Sequence, residues 1–104
     1  MTYRELYGGL IRLRLLHHAA LRPIYGLSMI DELCRHGYRL SPGTLYPILH
    51  RLEKKGYLRS TERRLGHTVR RMYRITPSGR RTLEGAKCTV YDLIGEMLFD
   101  GRKP

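Results

Sequence analysis

Apolar residues near the start of the chain recur at intervals of three and four positions. This spacing places them on one face of a helix, which we predict over residues 4–20. Residues 21–25 include Pro23 and are predicted to form a turn. The residues that share the helix face are Leu6, Leu10, Leu13, Leu16 and Ala20.

A second, shorter helix is predicted over residues 26–36. Its inward-facing positions are expected to be Leu27, Ile30 and Leu33. Gly37 follows it, and glycine commonly ends a helix because it adopts a positive φ at low cost.

The clearest helix start in the chain lies at Ser41 and Pro42. Serine is a good N-cap, and proline suits the first helical position, where its missing N–H would have no helical partner. We predict a helix over residues 42–55 that Gly56 ends. With the preceding helix and a short connector, it has the proportions of a helix–turn–helix. Its apolar stripe is Leu45, Ile48, Leu49 and Leu52.

Strand-forming residues follow this helix. Residues 57–63 and 68–75 are rich in β-branched and aromatic side chains, and the segment 65–67 with its central Gly66 supplies a turn. We therefore predict a β-hairpin, called the wing below, whose second strand packs one face on the helices. The positions of that strand that share a parity are Val69, Tyr73 and Ile75.

A final helix is predicted over residues 78–98, after Thr76 and Pro77 repeat the cap-then-proline signal. The elements before it already supply a small core, so this amphipathic helix is a candidate dimer element. The predicted fold class is mainly α with a small β-hairpin. It comprises a winged helix–turn–helix domain over residues 1–76 and a C-terminal dimerisation helix and tail over residues 77–104. The apolar stripe of the last helix is Leu83, Ala86, Val90, Leu93, Ile94 and Met97.

Positive charge is concentrated in one part of the chain. The sequence has 20 Lys and Arg against 9 Asp and Glu, a net charge of +11. Residues 51–82 carry eleven basic and two acidic residues, whereas residues 1–50 and 83–104 have net charges of +3 and −1. A localised basic stripe is typical of proteins that bind a polyanion, usually nucleic acid. A strongly solvated surface is the alternative, but solubility would not require such clustering.

Cysteine usage and hydropathy favour a cytoplasmic protein. Cys34 and Cys88 stand far apart and form neither a CxxC pair nor a zinc-finger spacing, which favours two reduced thiols. No apolar stretch approaches the roughly 18 residues of a membrane span. The N-terminus lacks the charged-then-apolar pattern of a signal peptide. We therefore expect no membrane association.

The polar face of the helix predicted over residues 42–55 is the candidate DNA-binding surface. A helix is narrow enough to enter the major groove, and its N-terminal N–H groups favour phosphate. Thr44 and Tyr46 can donate hydrogen bonds to phosphates, and His50 and Arg51 can reach base edges. The full candidate set on this helix is Ser41, Gly43, Thr44, Tyr46, Pro47, His50, Arg51, Lys54 and Lys55.

Alternatives stay open for three of these side chains. Tyr46 can be a half-buried core aromatic with a solvated hydroxyl. His50 and Arg51 can belong to an ordinary solvated surface.

The tip of the wing carries a second candidate set. These side chains can lie along the DNA backbone or place one arginine in the minor groove, and some of them can be merely solvated. Arg74 lies near the base of its strand and is a weaker candidate. The set at the tip is Arg63, Arg64, His67, Thr68, Arg70 and Arg71.

Two stretches of the chain resemble the PadR family of transcriptional regulators. The first is PIYGLSMIDELCRHGYRLSPGTLYPILHRLEKKGYL and the second is VRRMYRITPSGRRTL. The resemblance covers about residues 6–85, and the single C-terminal helix is similar to that of the compact subfamily. Leu27 departs from the pattern, because an aromatic residue is common there. The matching motifs are residues 41–47 and 50–53 at the recognition helix, Tyr25-Gly26 before the second helix, and residues 73–76 with Gly79-Arg80 at the start of the last helix.

The resemblance implies a dimeric winged-helix repressor on a near-palindromic DNA site. The first and last helices would form the dimer interface, and the wings would flank the DNA. Family members often respond to phenolic acids, drugs or other small molecules, so an effector at the dimer interface is also implied. A flat ligand could stack on aromatic residues there, although packing is the alternative role for Tyr3, Tyr7, Tyr91 and Phe99. The implied interface residues are Leu6, Leu10, Leu13, Leu83, Ala86, Val90, Leu93, Ile94 and Met97.

Metal sensing is an alternative to a small-molecule response. His17 and His18 end the first predicted helix, and Cys34 and His36 end the second, with ligand types suited to zinc. Adjacent histidines point to different helix faces, so both are not expected to bind one ion. Spacing alone does not build a coordination shell. We therefore predict no metal site and keep these four residues as secondary candidates.

Two other classes of protein fit the sequence less well. An enzyme is not expected, because the chain has no glycine-rich phosphate loop, nucleophile elbow or metal-hydrolase spacing, and no motif predicts a cofactor. An RNA-binding protein would share the basic stripe but should expose aromatic side chains for stacking on bases. The only aromatic residues in 57–75 are Tyr57 and Tyr73, and the position of Tyr73 in its strand is predicted to face inward.

Overall fold

The structure is a computed structural model that describes residues 3–99. These residues form four helices and three strands. They confirm the predicted fold class and each predicted helix. Residues 100–104, which include the predicted tail, and the side chain of Tyr3 lie outside the description. In chain order the elements are α1 (Tyr3–Leu21), β1 (Ile24–Tyr25), α2 (Gly26–Arg35), α3 (Pro42–Lys54), β2 (Leu58–Leu65), β3 (Thr68–Ile75) and α4 (Pro77–Phe99).

The strands form one antiparallel sheet in the order β1–β3–β2. The hairpin runs from the pair Leu58–Ile75 to the pair Leu65–Thr68, and Gly66 at its turn has a φ of +64°. The prediction of a plain turn over residues 21–25 was wrong at its end, where β1 pairs with β3. A strand of two residues is too short to show alternation, so only its pairing partner reveals it.

The core lies between α1, α2, α3 and the base of the hairpin. Its most completely buried side chains come from every one of these elements, and α4 adds Leu83. The predicted stripe of α3 is buried throughout, as is Leu33 of α2. The largest fully buried side chains are Leu15, Leu33, Leu45, Leu49, Leu58 and Tyr73.

Two predictions of burial were wrong. Leu27 is 52% exposed, because the buried side of α2 is formed by Gly26, Met29 and Leu33 instead. Val69 is 51% exposed although it shares the parity of Tyr73. It lies near the free end of the hairpin, where no helix stands over the strand.

Thr76 and Gly79 hold the start of α4 against the end of α3. The Thr76 hydroxyl donates to the carbonyl of Gly56 and accepts from the backbone N–H of Gly79 at 3.0 Å. A Cβ at Gly79 would stand 2.2 Å from the carbonyl oxygen of Tyr57, so only glycine allows this approach. The first turn of α4 is therefore fixed to the segment that joins α3 to β2. Within residues 3–99, no helix is long and apolar enough to cross a membrane.

Candidate nucleic-acid interface

Helix α3 has one buried side and one polar side. Ser41 precedes it with an extended backbone, and its carbonyl accepts from the N–H groups of Thr44 and Leu45 at 3.0 Å each. Its hydroxyl lies 3.3 Å from that of Thr44, so the two hydroxyls are partnered with each other. The side chains of the candidate set are exposed except that of Tyr46. The exposed members are Ser41, Gly43, Thr44, Pro47, His50, Arg51, Lys54 and Lys55.

Tyr46 is half-buried and joins α3 to α2. Its ring lies over Gly26, where a Cβ would come within 2.6 Å of three ring and hydroxyl atoms. Tyr46 also packs against the core cluster. The interpretation as a half-buried aromatic is thus confirmed, and a side chain at position 26 would displace the Tyr46 ring from this contact. The pair sets how closely the two helices of the helix–turn–helix approach each other.

The wing has two faces of different character. Its inner face carries the residues at even positions of β2 and odd positions of β3, from Leu58 and Tyr73 at the base to Arg64 at the tip. Its outer face carries the remaining residues. There Arg59 stands directly opposite Arg74, and Arg63 directly opposite Arg70.

The outer face is an unbalanced cluster of positive charge. All four of its arginines are exposed, and none forms an ion pair within the described part of the chain. No acidic residue occupies an outer-face position of β2 or β3. Like charges directly opposite each other in a sheet destabilise it. An anion bound to this face would relieve that repulsion.

The inner face near the tip is partly neutralised. Arg71 stands opposite Glu62, with 4.0 Å between its Nη2 and a Glu62 carboxylate oxygen. Its Nη1 also donates to the hydroxyl of Ser60 at 3.0 Å. Of the predicted wing residues, Arg63 and Arg70 thus lie on the free outer face, whereas Arg64 and Arg71 lie on the inner face. His67 and Thr68 are exposed at the turn.

Comparison with known proteins shows the family to which the chain belongs. Residues 15–85 match the family described as Transcriptional regulator PadR-like family. Transcriptional regulator Rv3488 of Mycobacterium tuberculosis is 47% identical over 95 residues, which cover 91% of this chain and 89% of that protein. This chain belongs to the PadR-like family of transcriptional regulators. The resemblance found in the sequence and the prediction that the chain is not an enzyme are both confirmed.

Solved structures of transcriptional regulators have the same fold. A PadR family transcriptional regulator from Eggerthella lenta superposes with a TM-score of 0.76 at 32% identity, over 91% of this chain and 87% of the other. A Streptococcus transcriptional regulator has a TM-score of 0.82 over 98% and 100% of the two chains, and at 21% identity it supports the fold alone. The winged helix–turn–helix architecture is therefore shared along nearly the whole length of this PadR-like chain.

The predicted dimer-interface residues fall into three groups of exposure. Leu83 is 3% exposed and belongs to the protomer's own core, so little of it is left for a partner. Leu13, Ala86 and Val90 are half-buried where α1 and α4 pack together. The exposed group is Leu6, Leu10, Leu93, Ile94 and Met97.

The four secondary metal candidates do not assemble into a ligand cluster. The rings of His17 and His18 meet edge to face, with centroids 5.3 Å apart, and His36 Nε2 lies 3.2 Å from a Glu32 carboxylate oxygen. Burial lowers the pKa of His18, while the charge of Glu32 opposes this shift. Cys34 is exposed. Among the residues that the structure describes, no three His, Cys, Asp or Glu side chains are placed to hold a metal ion.

Sequence reasoning missed part of the outer face of the wing. Arg59 was not predicted as a site residue, and Arg74 was considered only a weaker candidate. A signal was available, because Arg59 and Arg63 share a parity in one strand and Arg70 and Arg74 share one in the other. Combining the two sets required the register that the turn at Gly66 imposes.

Proposed function

We propose that this PadR-like regulator is a sequence-specific, dimeric DNA-binding repressor. The observation that carries the proposal is the juxtaposition of two exposed surfaces, the polar side of α3 and the arginine-rich outer face of the wing. They belong to adjacent elements, since β2 packs against α3. A helix flanked by a basic ribbon is the arrangement expected of a winged-helix reader of double-stranded DNA.

In this proposal α3 enters the major groove with its N-terminal end towards the DNA. Gly43 leaves that end open, since a Cβ there would meet nothing closer than the Ser41 hydroxyl at 3.7 Å. The helix dipole favours phosphate at this end. Arg51 and His50 read base edges, while Lys54 and Lys55 contact phosphates. The Tyr46 hydroxyl contacts phosphate only at the edge of this surface, because its ring packs on Gly26.

The wing binds the DNA backbone or the minor groove beside the site that α3 reads. The charge of its outer face supports this role, with Arg63 and Arg70 at the tip and Arg59 and Arg74 nearer the base. Arg64, His67, Thr68 and Arg71 complete the contact set around the turn.

Two copies pair through α1 and α4, so residues 77–104 act as a dimerisation helix and tail for the domain formed by residues 1–76. Support comes from the apolar residues that α4 exposes, among them Leu93, Met97 and Phe99, which is 78% exposed. Large apolar side chains gathered in this way mark interaction surfaces. A symmetric pair would set its two α3 helices about 34 Å apart, on successive turns of a near-palindromic operator.

An effector acts, in this proposal, at the α1–α4 contact. A cavity of about 400 Å³ lies there, lined by apolar residues, Tyr38, Tyr91 and the cations Arg14 and Lys87. The Arg14 guanidinium stacks on the Tyr38 ring at 5.4 Å. An aromatic anion suits such a lining. Its binding would change the angle between the two α3 helices and so bias the dimer towards or away from DNA.

Selection of duplexes from a random pool by the purified protein tests the proposal. We expect enrichment of a near-palindromic site with half-sites about one helical turn apart. Enrichment of no sequence, with binding that depends only on charge and length of the DNA, would contradict it. Preference for single-stranded RNA would favour the RNA-binding alternative.

A further inference from the structure

Two carboxylates stand within the most basic stretch of the chain, residues 51–82, and one of them belongs to α3. Glu53 lies on α3 between Arg51 and the two lysines proposed to contact phosphate. A negative charge there weakens attraction to DNA, since binding depends strongly on neutralising phosphates. Glu53 is half-buried, and its role is explained by its contacts rather than by solvation.

Glu53 connects α3 to both strands of the wing. Its Oε2 accepts two hydrogen bonds from Ser60 of β2, from the backbone N–H at 3.0 Å and from the hydroxyl at 2.7 Å. The same Ser60 hydroxyl accepts from Nη1 of Arg71 on β3 at 3.0 Å. The hydroxyl thus donates once and accepts once, and the three residues form a continuous chain from α3 to β2 to β3.

The charge state of Glu53 suits this linkage. The hydrogen bond from the Ser60 side chain is the largest influence lowering the pKa of Glu53; burial opposes it, and the backbone hydrogen bond and Arg71 add to it. Glu53 is therefore ionised at neutral pH. Hydrogen bonds to a charged acceptor are about twice as strong as neutral ones.

The linkage lies at the point where the wing leaves the body of the protein. Ser60 is half-buried, whereas every residue from Thr61 to Arg71 is exposed. The strand rises about 3.3 Å per residue, so the tip lies about 16 Å beyond Ser60. At that length, a rotation of about 10° at Ser60 moves the tip by about 3 Å, close to one base-pair step.

We propose that Glu53 is a positioning residue that holds the wing at a fixed angle to α3. This inference rests on the proposed DNA-binding function. Operator recognition needs the base contacts of α3 and the backbone contacts of the wing at one fixed spacing, and the Glu53–Ser60–Arg71 chain sets that spacing. Binding to unrelated DNA needs only charge and tolerates a loose wing.

The neighbouring residues Arg70 and Arg71 have different roles under this proposal. Arg71 belongs to the linkage on the inner face, whereas Arg70 lies on the outer face opposite Arg63 and has no ion-pair partner among the described residues. Arg70 is therefore the matched control, since its removal takes away a phosphate contact and leaves the linkage intact.

The test measures dissociation constants for two probes, the duplex selected from a random pool by the wild-type protein and a scrambled duplex of equal length. For Glu53→Ala we expect about a tenfold loss of affinity for the selected duplex, with no loss for the scrambled one. For Arg70→Ala we expect both affinities to fall together and the salt dependence of each to decrease. Glu53→Gln keeps an acceptor for Ser60 and should restore most of the discrimination.

If Glu53→Ala leaves the ratio of the two affinities unchanged, either because neither affinity falls or because both fall by the same factor, the proposal is overturned. If circular dichroism shows that Glu53→Ala does not fold, Ser60→Ala decides the question. That variant removes the shared hydroxyl and keeps the backbone hydrogen bond, so the ratio should fall about threefold, and an unchanged ratio overturns the proposal. A wild-type protein that selects no duplex would instead overturn the proposed function itself, and the linkage would then have no operator to discriminate.

Discussion

Helix α3 and the wing are proposed to bind the same DNA, yet they are built in opposite ways. Behind its polar side, α3 has four buried apolar residues and the Tyr46 ring packed on Gly26. The wing beyond Ser60 has no buried residue until Met72 and carries most of its free charge on the outer face. A side chain on a packed helix has a fixed position and can read a base edge, whereas one on an exposed ribbon supplies mainly charge. We therefore propose that α3 reads the sequence and that the wing supplies mainly non-specific attraction, with Glu53 as the connection between them.

The largest effect on DNA binding is expected from separating the two protomers, because a monomer can bind only one half-site of the operator. Leu93→Asp places a charge on the exposed apolar side of α4 and should yield monomers with at least about 100-fold weaker operator binding. Light scattering measures the mass, and a gel shift the affinity. Cys88→Asp adds the same charge to another exposed position of α4 and should remain dimeric. A Leu93→Asp protein with twice the mass of one chain would refute the proposed interface.

The next effect contrasts the packing of the two regions. Leu49 of α3 is fully buried, and Leu49→Ala should lower the free energy of unfolding by about 2–5 kcal/mol. Val69 of the wing is 51% exposed, and Val69→Ala should change it by about 0.5 kcal/mol or less. Urea unfolding followed by circular dichroism measures both. Equal losses would show that the wing is packed as tightly as α3 and would break the comparison.

Arg51→Ala tests whether α3 reads sequence. We expect a loss of about 1–3 kcal/mol on the selected duplex and a relaxed preference at one position of each half-site. Repeating the duplex selection with the variant measures the preference directly. If affinity falls while the selected consensus stays the same, Arg51 contacts phosphate rather than a base.

The double variant Arg63→Ala with Arg70→Ala tests the charge of the wing. Because two phosphate contacts are removed, the slope of log K against log salt should shrink by about 1.8, with similar losses on any duplex. The double variant Arg64→Ala with Arg71→Ala is the matched control on the inner face, and its slope should shrink less. Identical slopes for wild type and the outer-face variant would remove the outer face from the DNA contact.

The smallest effect concerns the pH dependence of the Glu53 linkage. Since the pKa of Glu53 is lowered on folding from its ordinary value of 4.5, its contribution to stability is complete above that value and lost as pH falls through the lowered pKa. Glu53→Gln should therefore be less stable than wild type at pH 7, by less than about 1 kcal/mol, and the difference should shrink as the pH falls below 4.5. Urea midpoints at pH 7 and at a series of pH values below 4.5 measure it. A difference that stays constant over the whole acid range in which wild type folds would mean that it arises from packing and not from ionisation.

Local signals made the helices predictable. For α3, Ser41 at the N-cap position, the proline after it and Gly56 beyond its end all lie within a few residues of the helix ends, and the observed helix differs from the predicted one by a single residue at its end. The Ser41 side chain nevertheless makes no capping hydrogen bond to the backbone. The candidate DNA-binding residues on α3 were predictable for the same reason, because helical periodicity separates the buried stripe from the polar side. The wing was predictable as a hairpin, but assigning its residues to the inner and outer faces required the pairing register.

The sequence by itself determined the helices, the hairpin, the basic stretch and the PadR-like family, because these depend on neighbouring residues and on charge. Only the tertiary structure decided which apolar residues are buried, since Leu27 and Val69 have suitable spacing but no element packed over them. It alone brought Tyr46 onto Gly26 and Ser60 onto Glu53. Such contacts depend on how elements lie against one another in space, and no local pattern along the chain encodes that relation.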